Sequence, residues 1–227
     1  MREVIKQFEE RREEVNKYFS LMENIMINDA KLLFPNGQTL AFGNDLNQIL
    51  RANAFLLLYN IVESSVSQAL EKIHINLVVS GCGYDNLSDN LKKEVVEFVK
   101  KSAKTDDFVT QVENIANDIL NYYPEKKDFF SGNVDAKEIK KMSKKYGFSC
   151  STDARKTDNG AKLLPIKSHR NDLAHGFISF KECGKDYTIQ DMMRMKKEVL
   201  SYIGEILENI DSYLIRQEFK RPQNVTL

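Results

Sequence analysis

The hydrophobic residues of this chain recur at intervals of three and four over most of its length, a spacing that predicts amphipathic α-helices. Glycine and proline are scarce, 10 and 4 among 227 residues, as expected for helices joined by few turns. No repeat or linker divides the pattern, so we predict one all-α domain over residues 1–227, a helical bundle with long central helices. The predicted helices cover approximately residues 2–27, 44–79, 90–101, 106–120, 136–146 and 189–218.

The predicted helix over residues 44–79 is the longest, and residues 54–62 within it are apolar on nearly every side. Such a helix is buried among others, which predicts that it forms the centre of the bundle. Asn60 and Glu63 interrupt the apolar run and, being three apart, share a face. A buried amide and carboxylate need partners. They either tie the helix to a neighbouring helix end or help to position a functional side chain on another helix.

Residues 168–177 form an unusually polar segment and contain two of the three histidines. We predict that this segment begins a helix. Asn171 and His175 are four apart and share a face that points outward. Arg170 lies about 140° round the helix from His175, so only its long side chain can bring a guanidinium beside the imidazole. The residues expected to face the core are Ile166, Leu173, Phe177 and Phe180.

The sequence after the polar segment allows a short β-hairpin. Residues 177–180 and 186–189 are apolar or β-branched and flank Gly184, so they could pair as two strands. Thr188 and Asp191 resemble a capping box that opens the last helix. Before the polar segment, residues 147–165 show no sustained period, and we expect a long loop there.

Charge is distributed unevenly along a chain whose formal net charge is zero. Residues 137–170 carry 10 Lys and Arg against 3 Asp and Glu. A local basic patch on a neutral protein is typical of a nucleic-acid interface. A solvated helix face is the alternative, but the proximity of Arg170 and His175 favours the first interpretation. The candidate substrate-binding residues are Lys140, Lys141, Lys144, Lys145 and Lys167.

Arg170, Asn171 and His175 are the candidate catalytic residues, and their side chains suit cleavage of an RNA phosphodiester. A histidine can move a proton near neutral pH. An arginine can hold a phosphate and its developing charge, and an amide can orient either group. Asp172 could support this group or cap the N-terminus of the helix. We expect His169 at the surface and His74 in packing or at the surface.

The motif offers a single carboxylate, that of Asp172, whereas phosphoryl-transfer sites built on magnesium gather several. We therefore predict no metal, and the 2′-hydroxyl of RNA as the nucleophile. His175 would move the proton and Arg170 would neutralise the phosphate. The three cysteines are dispersed and never form a CxxC pair, so no zinc site or other cofactor is predicted.

The cysteines and the hydropathy of the sequence also indicate the cellular compartment in which the protein acts. An odd number of scattered cysteines suits a reducing compartment better than a disulfide framework. The first residues are charged and lack the apolar core of a secretion signal, and no uncharged run is long enough to span a bilayer. We predict a cytoplasmic protein without membrane association.

Arg170-Asn171-x-x-x-His175 resembles the Arg-polar-x(3–5)-His motif of the HEPN superfamily, whose members are mostly prokaryotic ribonucleases of toxin and antiviral systems. Asn-Asp-Leu-Ala-His-Gly at residues 171–176 is similar to the form found in a branch of stand-alone bacterial HEPN proteins. Residues 56–64 resemble the central helix of that branch, and residues 132–135 with the lysines that follow also fit. The resemblance extends over most of the chain.

The resemblance implies a HEPN-like bundle and a homodimer in which Arg170 and His175 line a cleft at the two-fold interface. It also implies an antitoxin or another partner protein encoded in the same operon. Some HEPN toxins carry a tyrosine two positions after the histidine, which their partner modifies. Phe177 stands there in this chain, so silencing by that modification is excluded.

The predicted function is a metal-independent endoribonuclease of a bacterial toxin or antiviral system, with RNA as its substrate. One alternative is a HEPN module that binds RNA or a partner protein without cleavage. Another is a structural helical adaptor, which would tolerate charge reversal of the lysines.

Overall fold

The computed structural model describes residues 1–102 and 133–221, most of which are helical. The elements in chain order are α1 (Arg2–Met26), β1 (Lys31–Leu33), β2 (Thr39–Ala41), α2 (Asn44–Val79), α3 (Asp89–Ser102), α4 (Ala136–Tyr146), α5 (Ala154–Thr157), α6 (Leu163–Ala174), α7 (Phe180–Lys185) and α8 (Ile189–Ile215). The predicted all-α class is confirmed. The helix predicted over residues 106–120 lies outside the described residues.

α2 is the centre of the bundle, as its sequence predicts. Its 36 residues contact α1, α6, α7 and α8. Side chains on several of its faces are buried, among them Phe55, Leu58, Ile61 and Val62, which are at most 1% exposed. Within the described part of the chain, no helix is both long and apolar enough to cross a membrane.

The β-hairpin predicted after the polar segment is wrong, because most of residues 177–189 forms α7 and the turns on either side of it. Ser179 caps α7 in a reciprocal capping box with Glu182. Gly184 is a point of close packing: a Cβ added there would lie 1.9 Å from the carbonyl oxygen of Gln48 on α2. The only hairpin among the described residues lies between α1 and α2, where β1 pairs antiparallel with β2.

α4 has the ends that its sequence predicts. The Asp135 side chain accepts a hydrogen bond from the N–H of Glu138 at 2.9 Å, and Gly147 ends the helix in the left-handed conformation at φ 92°. The expected loop after it contains α5 and a 3₁₀ turn at Asp158–Gly160. Gly160 packs closely between Ala136 at the start of α4 and Tyr202 of α8. These contacts fix the position of α4 in the bundle.

Candidate functional site

The polar segment ends α6, which corrects the prediction that it begins a helix. His175 is the C-cap residue, and Gly176 follows with φ 70°. The N–H of Gly176 donates to the carbonyl of Leu173 at 3.2 Å, and the N–H of Phe177 donates to the carbonyl of Asp172 at 2.8 Å. This pair of bonds is a Schellman motif, which stops a helix and turns the chain away from its axis.

The sequence does contain signals for this placement. Pro165 lies in the first turn of α6, where a missing N–H costs no hydrogen bond, and Gly176 lies just past the end. Ile166 and Leu173 are buried as predicted, and Phe180 packs partly against the core. Phe177 is 75% exposed, so the prediction that it faces the core is wrong. The turn at Gly176 carries it out of the helical pattern.

Arg170 turns from α6 toward α2, and its guanidinium contacts Tyr59 and Glu63 of α2 and the neighbouring Asn171. The guanidinium carbon lies 4.4 Å from the centre of the Tyr59 ring. One terminal nitrogen donates to Oδ1 of Asn171 at 2.9 Å, and the other lies 3.6 Å from Oε2 of Glu63. The Arg170 side chain remains 28% exposed. The guanidinium is thus held in position while the side chain keeps some contact with solvent.

Asn171 joins the end of α6 to the segment that precedes α4. Its Nδ2 donates to Oδ1 of Asn133 at 2.8 Å. The next residue, Val134, donates its backbone N–H to the hydroxyl of Tyr59 at 3.1 Å. Sequence reasoning gave no role to Tyr59 or Asn133. Their only signal is that both lie in the segments that resemble HEPN proteins.

His175 is exposed at the end of α6, and its ring lies 5.6 Å from that of the exposed Phe177, with 32° between the ring planes. An exposed imidazole at a helix end can reach a substrate without any rearrangement of the core. His175 therefore points outward, as predicted. The helix, however, ends at His175, whereas the sequence predicted a helix that begins near it.

The two polar residues predicted to be buried on α2 have different environments. Glu63 is half-buried and contacts Arg170, and its Oε1 lies 3.5 Å from the Tyr59 hydroxyl. Asn60 is exposed, so the prediction that it is buried is wrong. The rotation of α2 places Tyr59, one position earlier, toward Arg170.

Asp172 and His169 also differ from prediction. Asp172 lies in the last turn of α6 and caps no helix N-terminus. His169 is half-buried rather than at the surface: its ring lies 4.6 Å from that of Phe55, and its Nε2 lies 2.8 Å from the Tyr187 hydroxyl. Burial lowers the pKa of His169, and the nearby carboxylates of Asp172 and Asp186 oppose that shift. His169 is a packing residue.

Lys167 is mostly buried and pairs with a carboxylate of the protein. It forms an ion pair with Asp135, the residue that caps α4. Burial opposes ionisation of Asp135, but the hydrogen bonds from Lys167 and from the N–H of Glu138 outweigh it and lower the pKa of Asp135. Lys167 therefore fastens α4 to α6, and a phosphate would have to displace Asp135 to reach it.

The lysines of α4 line a groove of about 500 Å³ between α3 and α4. Lys140 and Lys144 are exposed. Lys141 contacts Glu138 at 3.0 Å, and Lys145 contacts Glu94 at 2.6 Å. Lys93, Lys137 and Glu97 also line the groove. Lysines outnumber glutamates there by six to three, so the surface is basic on balance and includes four of the five predicted substrate-binding residues.

Among the described residues, no group of three or more His, Cys, Asp or Glu side chains is placed to hold a metal ion. The groups that the structure brings together are a guanidinium, two amides, a carboxylate and a tyrosine, with an imidazole at the adjacent helix end. Such a set can bind an anion and transfer protons.

A protein-family comparison supports the same interpretation. The model of the HEPN_MAE_28990-like HEPN family matches residues 1–219. No curated protein and no solved structure matches the chain. A HEPN domain suggests a ribonuclease-like or RNA-binding module, consistent with the anion-binding groups at the end of α6. Because the match covers nearly the whole sequence, the chain belongs to the HEPN_MAE_28990-like HEPN family.

Proposed function

We propose that this protein is a metal-independent endoribonuclease of a bacterial toxin or antiviral defence system. The observation that carries the proposal is the arrangement at the end of α6. There the guanidinium of Arg170 is held by Tyr59, Glu63 and Asn171, and His175 follows as an exposed imidazole. Membership of the HEPN family supports a substrate of RNA.

In the proposed reaction the 2′-hydroxyl of RNA attacks the adjacent phosphorus, and the bond to the 5′-oxygen breaks. His175 accepts the proton of the 2′-hydroxyl or gives a proton to the 5′-oxygen, and His175 of a second subunit takes the other role. Each such proton transfer contributes about 10²–10⁴-fold in rate. Arg170 neutralises the charge that develops on the phosphate. The products are a 2′,3′-cyclic phosphate and a 5′-hydroxyl.

The remaining predicted site residues take supporting roles. Asn171 orients the guanidinium of Arg170, to which it is bonded. Glu63 holds that guanidinium before RNA binds. Asp172 contributes charge in the last turn of α6, and the exposed amide of Asn60 lies next to Tyr59 on α2. The lysines of α4 bind the RNA backbone independently of its sequence.

We further propose that the chain is one domain, that it acts in the cytoplasm as a homodimer with the motif at the interface, and that a partner protein restrains it. A two-fold interface brings both copies of Arg170 and His175 to one RNA strand. This arrangement supplies the second imidazole that the reaction uses.

The test is expression of the wild type and of His175→Ala in bacteria, followed by comparison of growth and total RNA. The wild type should slow growth and fragment RNA, and His175→Ala and Arg170→Ala should do neither while keeping their helicity and assembly. Asn171→Ala should reduce toxicity and RNA fragmentation less than these two substitutions do.

Purified protein should cleave RNA in excess EDTA and should not cleave RNA with a 2′-O-methyl at the cut site. Cleavage that needs Mg²⁺, or products with 5′-phosphates, would exclude this mechanism.

One observation favours the alternative of a HEPN module that binds RNA or a partner protein without cleaving it. The guanidinium of Arg170 already has a carboxylate partner in Glu63. If RNA binds but stays intact with the wild type, this alternative replaces the nuclease. A structural adaptor would bind no RNA, and charge reversal at Lys140, Lys141, Lys144 and Lys145 would leave its function unchanged.

A further inference from the structure

Tyr59 of α2 contacts both the candidate catalytic arginine and the segment before α4. It is only 2% exposed, and one face of its ring lies against the guanidinium of Arg170, 4.4 Å from ring centre to guanidinium carbon. Its hydroxyl accepts the backbone N–H of Val134 at 3.1 Å and lies 3.5 Å from Oε1 of Glu63. Three parts of the fold therefore meet at one side chain.

The ring holds Arg170 in a way that a carboxylate does not. A guanidinium is planar, and its N–H donors all point outward in its own plane. Contact between its face and an aromatic ring is attractive, and it uses none of those donors. In this site the in-plane nitrogens face Asn171 and Glu63. Contact with the face of the Tyr59 ring therefore holds the guanidinium without neutralising its charge or using its N–H donors.

The hydroxyl fixes the ring in turn. Val134 is fully buried, so its N–H needs an acceptor inside the protein, and Tyr59 supplies one. Asn133, the preceding residue, contacts Asn171, and Asp135, the following residue, pairs with Lys167. Residues 133–135 thus contact both α2 and α6. The direction of Arg170 depends on where this segment lies.

We propose that Tyr59 is a positioning residue for Arg170, with the face of its ring holding the guanidinium and its hydroxyl tying that ring to the segment before α4. The proposal rests on the proposed function, because the guanidinium so placed is the one that neutralises the phosphate. Without Tyr59, Arg170 keeps its charge but samples several directions. A misplacement of about 1 Å is enough to lower a catalytic rate about 100-fold.

The experiment measures RNA cleavage by Tyr59→Leu, which removes ring and hydroxyl, and by Tyr59→Phe, which keeps the ring. Tyr18→Leu is the control for loss of a tyrosine away from the site: Tyr18 lies on α1 and is half-buried, and its hydroxyl donates to the carbonyl of Leu50 at 2.7 Å. We expect Tyr59→Leu to lower kcat by up to about 100-fold, with a smaller rise in KM because a misplaced Arg170 also holds the phosphate less tightly. Tyr59→Phe should fall between Tyr59→Leu and the wild type, and Tyr18→Leu should keep wild-type kcat.

The same substitutions in an Arg170→Lys background separate positioning from general loss of structure. Lysine has no planar group to stack, so removal of the Tyr59 ring should have no further effect on kcat there. Equal losses in both backgrounds, an equal loss in Tyr18→Leu, or wild-type kcat in Tyr59→Leu would each overturn the proposal. If Tyr59→Leu does not fold, Tyr59→Phe takes its place, with a smaller loss that must also vanish in the Arg170→Lys background.

A second measurement keeps this proposal distinct from the proposed function. The affinity for RNA carrying 2′-O-methyl groups throughout can be measured whether or not the protein cleaves. Tyr59→Leu should weaken that affinity when Arg170 is present and leave it unchanged in an Arg170→Ala background. If the wild type does not cleave but this dependence holds, the nuclease is wrong and the positioning is right. If the wild type cleaves and the dependence is absent in both measurements, the positioning is wrong.

Discussion

Two ion pairs that begin one turn apart on α6 differ in how far they are exposed to solvent. Lys167 pairs with Asp135, and their side chains are 19% and 12% exposed. Arg170 pairs with Glu63 at 3.6 Å, and these side chains are 28% and 31% exposed. Asp135 also caps the N-terminus of α4, whereas Glu63 lies in the interior of α2. The first pair is part of the framework of the fold, and the second leaves its arginine accessible from solvent.

The difference follows from the solvation of charge. A charge that leaves water needs a partner at all times, so breaking a buried pair is costly. A charge that keeps contact with water can exchange one partner for another at little cost. Of the cations on α6, Arg170 is therefore the one suited to a phosphate. The predictions below test this contrast between framework and accessible charge.

The largest effect should follow from breaking the buried pair. Asp135→Ala leaves the Lys167 ammonium buried without its partner and removes the cap of α4. We expect the free energy of unfolding to fall by about 4 kcal/mol, measured by chemical denaturation. The matched control is Asp45→Ala, which breaks the exposed Lys181–Asp45 pair and should cost less than about 1 kcal/mol. Similar losses in the two variants would contradict the contrast.

A second test concerns His74, which is partly buried, whereas His175 is exposed. Nε2 of His74 lies 2.8 Å from the Tyr146 hydroxyl, and burial lowers the pKa of His74 to about 4. The unfolded chain then binds the proton more tightly, near its ordinary pKa of about 6.5. The free energy of unfolding should therefore fall by about 3 kcal/mol as the pH drops from about 6.5 to about 4.

The measurement is denaturation of the wild type and of His74→Gln across this pH range. Subtraction of the two curves removes the contributions of the carboxylates and of His169. The wild type should lose more stability toward acid than His74→Gln. Parallel curves would show that His74 is not responsible for any acid sensitivity.

The parts of the fold that depend on neighbouring residues could be predicted from the sequence. Hydrophobic spacing placed α1, α2, α4 and α8 within a few residues of their bounds, because each buries one face or, for α2, several. The sequence analysis placed the motif at the start of a helix, whereas it lies at the end of α6. Pro165 and Gly176 signal this end, but the polar run before Gly176 also suits a helix start. Gly184 suggested a turn because sequence alone does not reveal that Gln48 packs against it.

The site depended more on distant contacts. Lys167 and Arg170 are both cations of one basic block, and only Asp135, 32 positions from Lys167, separates their roles. In a helix that is apolar nearly all round, periodicity does not give the rotation. Asn60 was therefore expected inside, whereas Tyr59 is the residue that faces Arg170.

The lysines of α4 allow the contrast to be tested among cations of one helix. Lys140 and Lys144 are exposed, whereas Lys145 is 26% exposed and contacts Glu94 at 2.6 Å. If Lys140 and Lys144 each contact one phosphate, Lys140→Ala with Lys144→Ala should lower the slope of log affinity against log salt by about 2. Relative to the wild type, the loss of RNA affinity would then be about tenfold larger at 50 mM salt than at 200 mM.

The control is Lys145→Ala, measured by the same salt titration. Lys145 must first leave Glu94 to reach a phosphate, so its removal should lower the slope by less than half of the change expected for the double variant. A change of half that size would mean that the ion pair does not restrict Lys145. A wild-type affinity that does not depend on salt would remove the groove from the RNA interface.

The smallest effect should come from the accessible pair itself. Glu63→Gln removes the negative charge beside Arg170 but keeps a side chain of the same shape with an oxygen near the guanidinium. Because both side chains keep contact with solvent, the free energy of unfolding should change by less than about 1 kcal/mol. The affinity for RNA blocked by 2′-O-methyl groups should rise about threefold, since a phosphate no longer competes with a carboxylate. Glu63→Ala removes the acceptor as well, so it should lose cleavage rate that Glu63→Gln retains. If Glu63→Gln instead weakens RNA binding, the Arg170–Glu63 pair is part of the framework after all, and the contrast between the two pairs on α6 does not hold.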